Sequence, residues 1–596
     1  EARTDGENRI APEPYKNPGS LKRFLPILDW LPGYKKAWLP GDLAAGLTVG
    51  ILLIPQGMAY AMIAGLPPVF GLYAALVPQL VYALTGTSRQ LAVGPVAMDS
   101  LLVASGLGAL ALTGIEEYIA MAVFLALFMG VLQLAFGLLR MGFLVNFLSR
   151  PVISGFTSAA AIIIGLSQLK HLLGVEIPGS NRIQQLVSHA AAALPDTHLP
   201  TLGLGLTGIA LIVGMKKWVP RMPGSLAGVV AGTLAVFLLG WDQAGVKIVG
   251  AVPAGLPEFG LPELDMERVS QLFPIALTLA LIAYMEAISV GKAVEEKHGK
   301  NRIDANQELR ALGLSNILGS FFQSYPTTGG FSRTAVNDQN GAQTPLASVF
   351  SALVVGATLL FLTPLFHYLP NAILAAVIMV AVFGLIDLKY PRELWKNRKD
   401  EFILLLATFA LTLGLGIVEG ILLGVLFSLL LLVYRISKPH IAILGRIRGT
   451  DYFKNINRFS EDIEEFPEFL ILRFDGQLFF GNKDYFRKEL VKHTRQKGPD
   501  LKFVILNAEA ISYIDSSAVY MLRALIRDLR RDGIRLLLAG AIGPTRDILF
   551  SSGLAEEIGR ENQFVRTFEA FEHCRTATGK TEMERKVSTQ SARPPV

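Results

Sequence analysis

Runs of mainly apolar residues as long as Ile119 to Leu139 and Phe402 to Tyr434 recur along this chain, and nothing else in the sequence restricts it as much. About 20 such residues in a helix cross the hydrocarbon core of a bilayer, where no water satisfies a bare backbone N–H or C=O. Repeated runs therefore predict a bundle of spanning helices. Hydrophobic residues make up 51% of the chain and charged residues 17%, with the charges gathered between the runs. Between Gly41 and Ser437 fourteen apolar segments can be marked, at roughly 42 to 64, 68 to 86, 95 to 109, 118 to 139, 151 to 168, 201 to 218, 223 to 240, 273 to 290, 306 to 323, 328 to 338, 346 to 363, 370 to 388, 401 to 418 and 419 to 436. An even number returns the chain to the face from which it started.

Lys and Arg in short loops favour the cytoplasm and so fix that face. Lys216, Lys217 and Arg221 follow segment six; Lys292, Lys297, Lys300 and Arg302 follow segment eight; Lys389, Arg392, Lys396, Arg398 and Lys399 follow segment twelve. The alternate loops are acidic or neutral, with Glu116 and Glu117, or Asp242, Glu258, Glu263, Asp265 and Glu267. Both termini are expected in the cytoplasm, and the chain in a bacterial inner membrane. About forty charged and proline-rich residues precede the first run, with no small-residue cleavage site after a short apolar core, so no removable signal peptide is expected. The formal charge of +6 belongs to these loops and to the tail, not to a nucleic-acid surface. A single cysteine, Cys574, excludes an intramolecular disulfide framework and a multi-cysteine metal site, and reads as an ordinary thiol in a reducing compartment.

Composition divides the chain into an N-terminal region over 1–40, a membrane part over 41–437, a soluble domain over 438–576 and a polar tail over 577–596. The first twenty or so residues and the tail are polar and are expected to be disordered. In the soluble part Phe469 to Phe474, Phe503 to Leu506 and Arg535 to Ala539 read as strands, and Lys483 to Val491, Ser517 to Arg531 and Pro544 to Phe550 as helices, which describes a small α/β domain. Within the membrane part, Pro151 is followed fourteen residues later by Gly165-Leu166-Ser167-Gln168-Leu169-Lys170, and Pro370 by Gly384-Leu385-Ile386-Asp387-Leu388-Lys389. That match equates segment five with segment twelve and gives two halves of seven. Seven is odd, so the halves face opposite ways, an architecture of alternating-access carriers.

Breakers and polar groups at membrane depth mark the chemistry. Segment three is short and opens at Gly94-Pro95, with proline where a helix start tolerates it. Segment ten is equally short and begins among Thr327, Thr328, Gly329, Gly330, Ser332 and Arg333. Paired, interrupted segments in matching positions of two halves point to a binding site, because facing helix starts offer unpaired N–H groups and positive dipole ends to one anion. The alternative is a pair of loop turns at the membrane edge. Glu286 stands alone in the apolar Ile282-Ala283-Tyr284-Met285-Glu286-Ala287-Ile288, and its natural partner is Arg333, either as a static buried pair or as a working one. Asp99, one turn into segment three, caps the helix start or takes part in coupling. Gln56, Gly57 and Tyr60 follow Pro55 at a break in segment one and are positioned to line a cavity.

These residues resemble the SulP sulfate permeases, a family that includes animal anion exchangers. The likeness rests on Leu53-Ile54-Pro55-Gln56-Gly57-Met58-Ala59-Tyr60-Ala61, on Gly65-Leu66-Pro67-Pro68-Val69-Phe70-Gly71-Leu72-Tyr73, on Gly86-Thr87-Ser88-Arg89 and Val93-Gly94-Pro95, and on Gly330-Phe331-Ser332-Arg333-Thr334. It implies a polytopic α-helical membrane protein with fourteen segments in a seven-plus-seven inverted repeat, divided into core and gate domains that move like an elevator. It implies a homodimer and an anion held between the starts of segments three and ten. Gln56 and Tyr60 then line the cavity, Val96, Ala97, Gly330, Phe331, Ser332 and Arg333 contact the anion, and Glu286 with Arg333 is similar to a proton-coupling pair. Many animal members have Phe at the position of Val96, so a cavity shape does not carry over from them, and Asp99 is not assigned by the family pattern. The soluble part resembles a STAS domain, whose loop Ile514-Asp515-Ser516-Ser517-Ala518 starts a helix with Asp515 or Ser516 as N-cap. Related anti-sigma antagonists are phosphorylated on a serine of this loop, which makes Ser516 and Ser517 regulatory candidates beside the reading of a plain cap.

The expected function is proton-coupled transport of a small inorganic anion, sulfate favoured, with bicarbonate, chloride or dicarboxylate carriage (by sodium coupling or exchange) and an anion sensor signalling through STAS as alternatives. No Walker A loop, Ser/His/Asp set or metal cluster is legible, so neither an enzyme nor a cofactor or metal is expected.

Overall fold

All fourteen apolar stretches are helical in the computed structural model, which describes residues 24–577 except 109, 111, 113, 144–148, 179, 181, 220–223, 263–265, 299–302 and 459–462, and the side chains of 266, 267, 296, 418 and 577. The charged residues Arg221, Lys300, Arg302, Glu263 and Asp265, the side chain of Glu267 and both polar ends lie outside the described residues. One group of helices comprises the first segment, Leu39–Ile63, the second, broken into Val69–Ala74 and Val77–Thr85, the third, Ala97–Gly108, and the fourth, Ile115–Leu138. It is completed by the eighth, Met266–His298, the ninth, Ala305–Ser320, the tenth, Phe331–Gln339, and the eleventh, Leu346–Ala357, which continues as tighter and looser turns to Phe366. The other group holds the fifth, Arg150–Ser167, sixth, Leu199–Trp218, seventh, Gly224–Leu239, twelfth, Asn371–Phe383, thirteenth, Lys399–Leu415, and fourteenth, Ile417–Ser437. Among the described residues seven helices are long and apolar enough to cross a membrane alone; the third and tenth segments are among those that are not.

The packing partners reveal the inverted repeat. The first segment packs on the eleventh and the eighth on the fourth; the tenth packs on the first and the third on the eighth. Likewise the fourth lies on the ninth and the eleventh on the second, while the fifth lies on the thirteenth and the twelfth on the sixth. Each pairing maps onto its mate when seven is added to both numbers, counting fourteen as a closed cycle. The first eight-helix group is the core and the second the gate; the first segment touches the gate's seventh and twelfth. Without a hydrophobic force between helices in lipid, close approach of small residues supplies the packing. Where segments four and nine cross, a Cβ on Gly130 would lie 2.8 Å from the carbonyl oxygen of Gly313, and one on Gly313 equally near that of Gly130.

A second compact unit begins at Leu429, inside the last long helix. Its sheet joins β3 (His440–Ile447), β4 (Phe453–Asn455), β5 (Ile463–Glu464), β6 (Phe469–Asp475), β7 (Phe503–Asn507), β8 (Arg535–Ala539) and β9 (Gln563–Phe564). The spatial order is β4-β3-β6-β7-β8-β9, with β5 also on β3; β6 to β9 run parallel and β3 is antiparallel to them. A parallel sheet is covered on both faces, so its strands are apolar throughout, as Phe503–Asn507 is buried at every residue. Helices Lys483–Lys497 and Ser516–Arg531 cover one face; Thr567–Ala577 covers the other with Phe571 and Cys574. Burial pushes the Cys574 thiol up to about 12. A neutral-pH thiol reagent is therefore expected to leave the folded chain unlabelled and to label one site per chain only when denaturant opens this unit, because thiolate is the reacting species. Rapid labelling of the native protein contradicts the packing.

Candidate anion site

Pro95 stops the third segment from extending backward, since proline both lacks an amide hydrogen and bars the preceding residue from helix. The chain before it is therefore extended, and β1, Val93–Gly94, pairs antiparallel with β2, Thr328–Gly329, at the matching place before the tenth segment. Antiparallel strands that each feed a helix send those helices away in opposite directions from adjacent starts. Gly330 N donates to Ala92 O at 3.0 Å and Ala92 N to Thr334 Oγ1 at 3.0 Å, tying the two starts together.

Arg333 spans the junction. Its Nη1 donates to Pro95 O at 2.8 Å, and the side chain is 2% exposed. The guanidinium lies so flat on Gly330 that a Cβ there would be 2.7 Å from its Cζ and Nη2. Arg333 Nε and Nη2, Gln56 Oε1, Glu286 Oε2 and both carboxylate oxygens of Asp99 are buried without a hydrogen-bond partner. Buried polar atoms are almost always satisfied, so a gathering of unsatisfied ones calls for an explanation such as a ligand or ion. They are near neighbours electrostatically: Arg333 interacts with Tyr60, Glu286 and Tyr325, and Asp99 with Glu286. Ser100 Oγ lies 3.0 Å from Tyr325 OH.

The structure thus brings Tyr60, Asp99, Glu286 and Arg333 into one neighbourhood with the helix starts at Val96, Ala97 and Gly330, and Gln56 adjoins Gly57, where a Cβ would lie 3.7 Å from Pro95 Cγ. Asp99 caps nothing, since neither of its oxygens receives a donor. Glu286 and Arg333 are not joined by a hydrogen bond or ion pair; the arginine turns to Pro95 O instead. Tyr60 and Ala97 are buried, Val96 is half-buried, and Phe331 and Ser332 are exposed on the first turn of segment ten. Beside Pro95, the first and second segments approach so closely at Gly57 and Gly71 that a Cβ on Gly57 would sit 2.9 Å from the Gly71 carbonyl oxygen.

The sequence reading missed the scaffold behind these groups. Asn316 on segment nine accepts Thr327 N at 2.8 Å and donates to Thr327 O at 3.0 Å and to Gln133 Oε1 at 3.3 Å, while Gln133 donates to Ala280 O at 3.2 Å. Glu308, 1% exposed, accepts from Tyr82 OH and Thr87 N, each at 2.7 Å, and from Thr87 Oγ1 at 2.5 Å. Asn316→Ala strands the Thr327 amide and carbonyl just before β2. It is expected to lower stability by about 2 kcal/mol and to weaken anion binding, read as a fall in the thermal midpoint that added anion restores only in part. An unchanged midpoint contradicts the role given to Asn316.

In the C-terminal unit Asp515 is the N-cap: its Oδ1 accepts Ala518 N at 2.8 Å and its Oδ2 accepts Phe480 N at 2.8 Å. Ser516 is exposed and Ser517 half-buried on the first turn that follows.

The sequence pattern of the sulfate permease family matches residues 39–408, and that of the STAS domain residues 446–572. The chain belongs to the sulfate permease family. The sulfate permease pattern covers both half-helix starts, and the STAS pattern covers the Asp515 cap. Among relatives, the chain is 38% identical over 575 residues to sulfate transporter 4.1, chloroplastic, of Arabidopsis thaliana, covering 93% of this chain and 83% of that one. It is 34% identical over 542 residues to a probable sulfate transporter of Mycobacterium tuberculosis, covering 90% and 96%. Its fold resembles the murine Solute Carrier 26 family member A9 anion transporter in the inward-facing state, with a TM-score of 0.86, 27% identity and 96% of each chain covered. It also resembles the transmembrane domain of a cyanobacterium bicarbonate transporter, with a TM-score of 0.57, 25% identity, and 67% of this chain and 98% of that one covered. As a sulfate permease the chain is an integral membrane transporter of small anions.

Proposed function

We propose that this sulfate permease imports sulfate together with protons, by sliding its core past its gate as an elevator. The observation that supports this reading is the convergence of unsatisfied buried groups on the starts of segments three and ten. The backbone N–H groups at Val96, Ala97 and Ser332 and the positive ends of two helices meet the dianion, with Arg333 supplying a full charge. Gln56, Tyr60, Gly330 and Phe331 shape its cavity. Glu286 takes up a proton from outside and releases it inside, with Arg333 balancing either the bound anion or the ionised carboxylate; Asp99 shares that task. Both termini lie in the cytoplasm of a bacterial inner membrane, and the protein works as a homodimer. Its regions run 1–40, 41–437, 438–576 and 577–596, and modification of Ser516 or Ser517 acts on the start of the helix Ser516–Arg531 in the regulatory domain.

Sulfate in the names of the relatives at 34–38% identity supports that substrate. The bicarbonate transporter at 25% identity favours bicarbonate as the second reading. Radiolabelled sulfate uptake into proteoliposomes, with and without an inward proton gradient and against unlabelled bicarbonate, chloride and dicarboxylates, tests both. Concentrative uptake driven by the gradient and inhibited first by sulfate is expected. Saturable binding without accumulation assigns a sensor instead, and stronger inhibition by bicarbonate transfers the substrate.

A further inference from the structure

A cavity of about 460 Å3 opens among the gate helices, away from the half-helix starts. Its lining includes Lys170 and His171 at the end of segment five, Glu176, Thr201 at the start of segment six, Lys247 from the loop after segment seven and Asn371 at the start of segment twelve. All of these lie on one face, where odd-numbered segments end. On that face Arg268 is held by Glu117, whereas the side chain of Lys170 makes no hydrogen bond or ion pair among the described residues. Lys247 pairs with Glu176 at 3.3 Å, but that carboxylate is 93% exposed, a contact worth little against solvent screening.

The cavity is preformed. Ile248 and Pro370 form an antiparallel bridge, Asn371 N donates to Lys247 O at 3.1 Å, and Val249 N donates to Leu369 O at 2.8 Å. These bonds fix the Lys247 loop against the start of segment twelve, a helix of 13 residues whose positive end opens near the cavity. Thr201 is held by the His198 ring at 2.7 Å. Lys170 and Lys247 repel one another across this space. An anion seated between them relieves that repulsion and meets a hydroxyl, an amide and a helix start.

We propose that this cavity is a second anion site, specific for a tetrahedral oxyanion and separate from the site between the half-helices. It collects the anion at the face where segment five ends, before the core takes it up. A free solute or a lipid phosphate has the same recognisable chemistry. The proposal rests on the transport reading only for its kinetic consequence, since binding at the cavity does not require transport.

The test titrates labelled sulfate into the full chain in phosphatidylcholine nanodiscs. Two sites per chain are expected; Lys170→Gln with Lys247→Gln removes one and Gly330→Leu the other. Both lysine side chains are partly exposed, and a thermal midpoint equal to that of the wild type verifies folding. In phosphatidylglycerol nanodiscs, persistence of both sites assigns the cavity to the free anion, and loss of the lysine-dependent one assigns it to lipid phosphate. In oriented proteoliposomes the double variant should raise the KM for sulfate from the cavity's face about tenfold, with kcat and the opposite-face KM unchanged, and raised ionic strength should shrink the difference. Wild-type stoichiometry in the double variant overturns the proposal; absence of transport with both binding sites intact overturns only the transport reading.

Discussion

Gly330→Leu should abolish sulfate uptake while leaving a folded protein, and Gly330→Ala should already weaken binding. Even a lone Cβ at this position falls 2.7 Å from Arg333 Cζ and Nη2, so the guanidinium must shift, which weakens or breaks its bond to Pro95 O. A hydrogen bond to a charged group contributes about 1.5–3 kcal/mol, which converts to a roughly tenfold to hundredfold loss of affinity in the alanine variant. Leucine adds bulk over the first turn of segment ten, where an anion has to approach backbone N–H groups closely. Binding and uptake in detergent-stable Gly330→Leu equal to wild type would remove both Gly330 and the Arg333 bridge from the account.

Glu286→Gln should lose stimulation by an inward proton gradient and keep sulfate exchange at equal concentrations on both sides. Moving a dianion toward a negative interior costs about 2.3 kcal/mol per charge per 100 mV, and a protonated carboxyl carries one of the two compensating charges inward. Each pH unit of gradient contributes about 1.4 kcal/mol per proton, so in the absence of a membrane potential two units sustain about a hundredfold accumulation through one coupled proton. The amide imitates the protonated acid and neither takes nor gives a proton. Accumulation by Glu286→Gln that still tracks the gradient shifts coupling to Asp99, whose oxygens are equally without partners.

The groups that stand out against their surroundings were legible in the sequence: Glu286 alone in an apolar helix, and Pro95 and Gly330 where a spanning helix should be unbroken. Physical expense makes them visible, since a charge or a breaker at membrane depth persists only with a reason. Asn316, Gln133 and Glu308 were not legible. Each is one polar residue on a helix, and its meaning comes from a partner on another segment, as Asn316 gains from Thr327 and Gln133. The eighth segment reads as 273 to 290 but extends over Met266–His298, because apolar runs mark only the part within lipid while the helix continues through its charged ends. Strand β3 was missed because it starts three residues after the fourteenth helix ends and continues its apolar character. Cavity residues Lys170 and Lys247 are 77 positions apart, and only the bridge at Ile248 and Pro370 brings their neighbourhoods together.

The central claim is that one anion sits between the starts of segments three and ten. Diffraction from crystals grown with selenate, recorded at the selenium edge, tests it without recourse to transport. The account predicts an anomalous peak roughly 4 Å from the backbone nitrogens at Val96, Ala97 or Ser332, as a selenate whose oxygens accept from them at about 3 Å requires, and beside Arg333, lost in Gly330→Leu. A peak confined to the Lys170 and Lys247 cavity, or one that persists between the half-helices in Gly330→Leu, contradicts it.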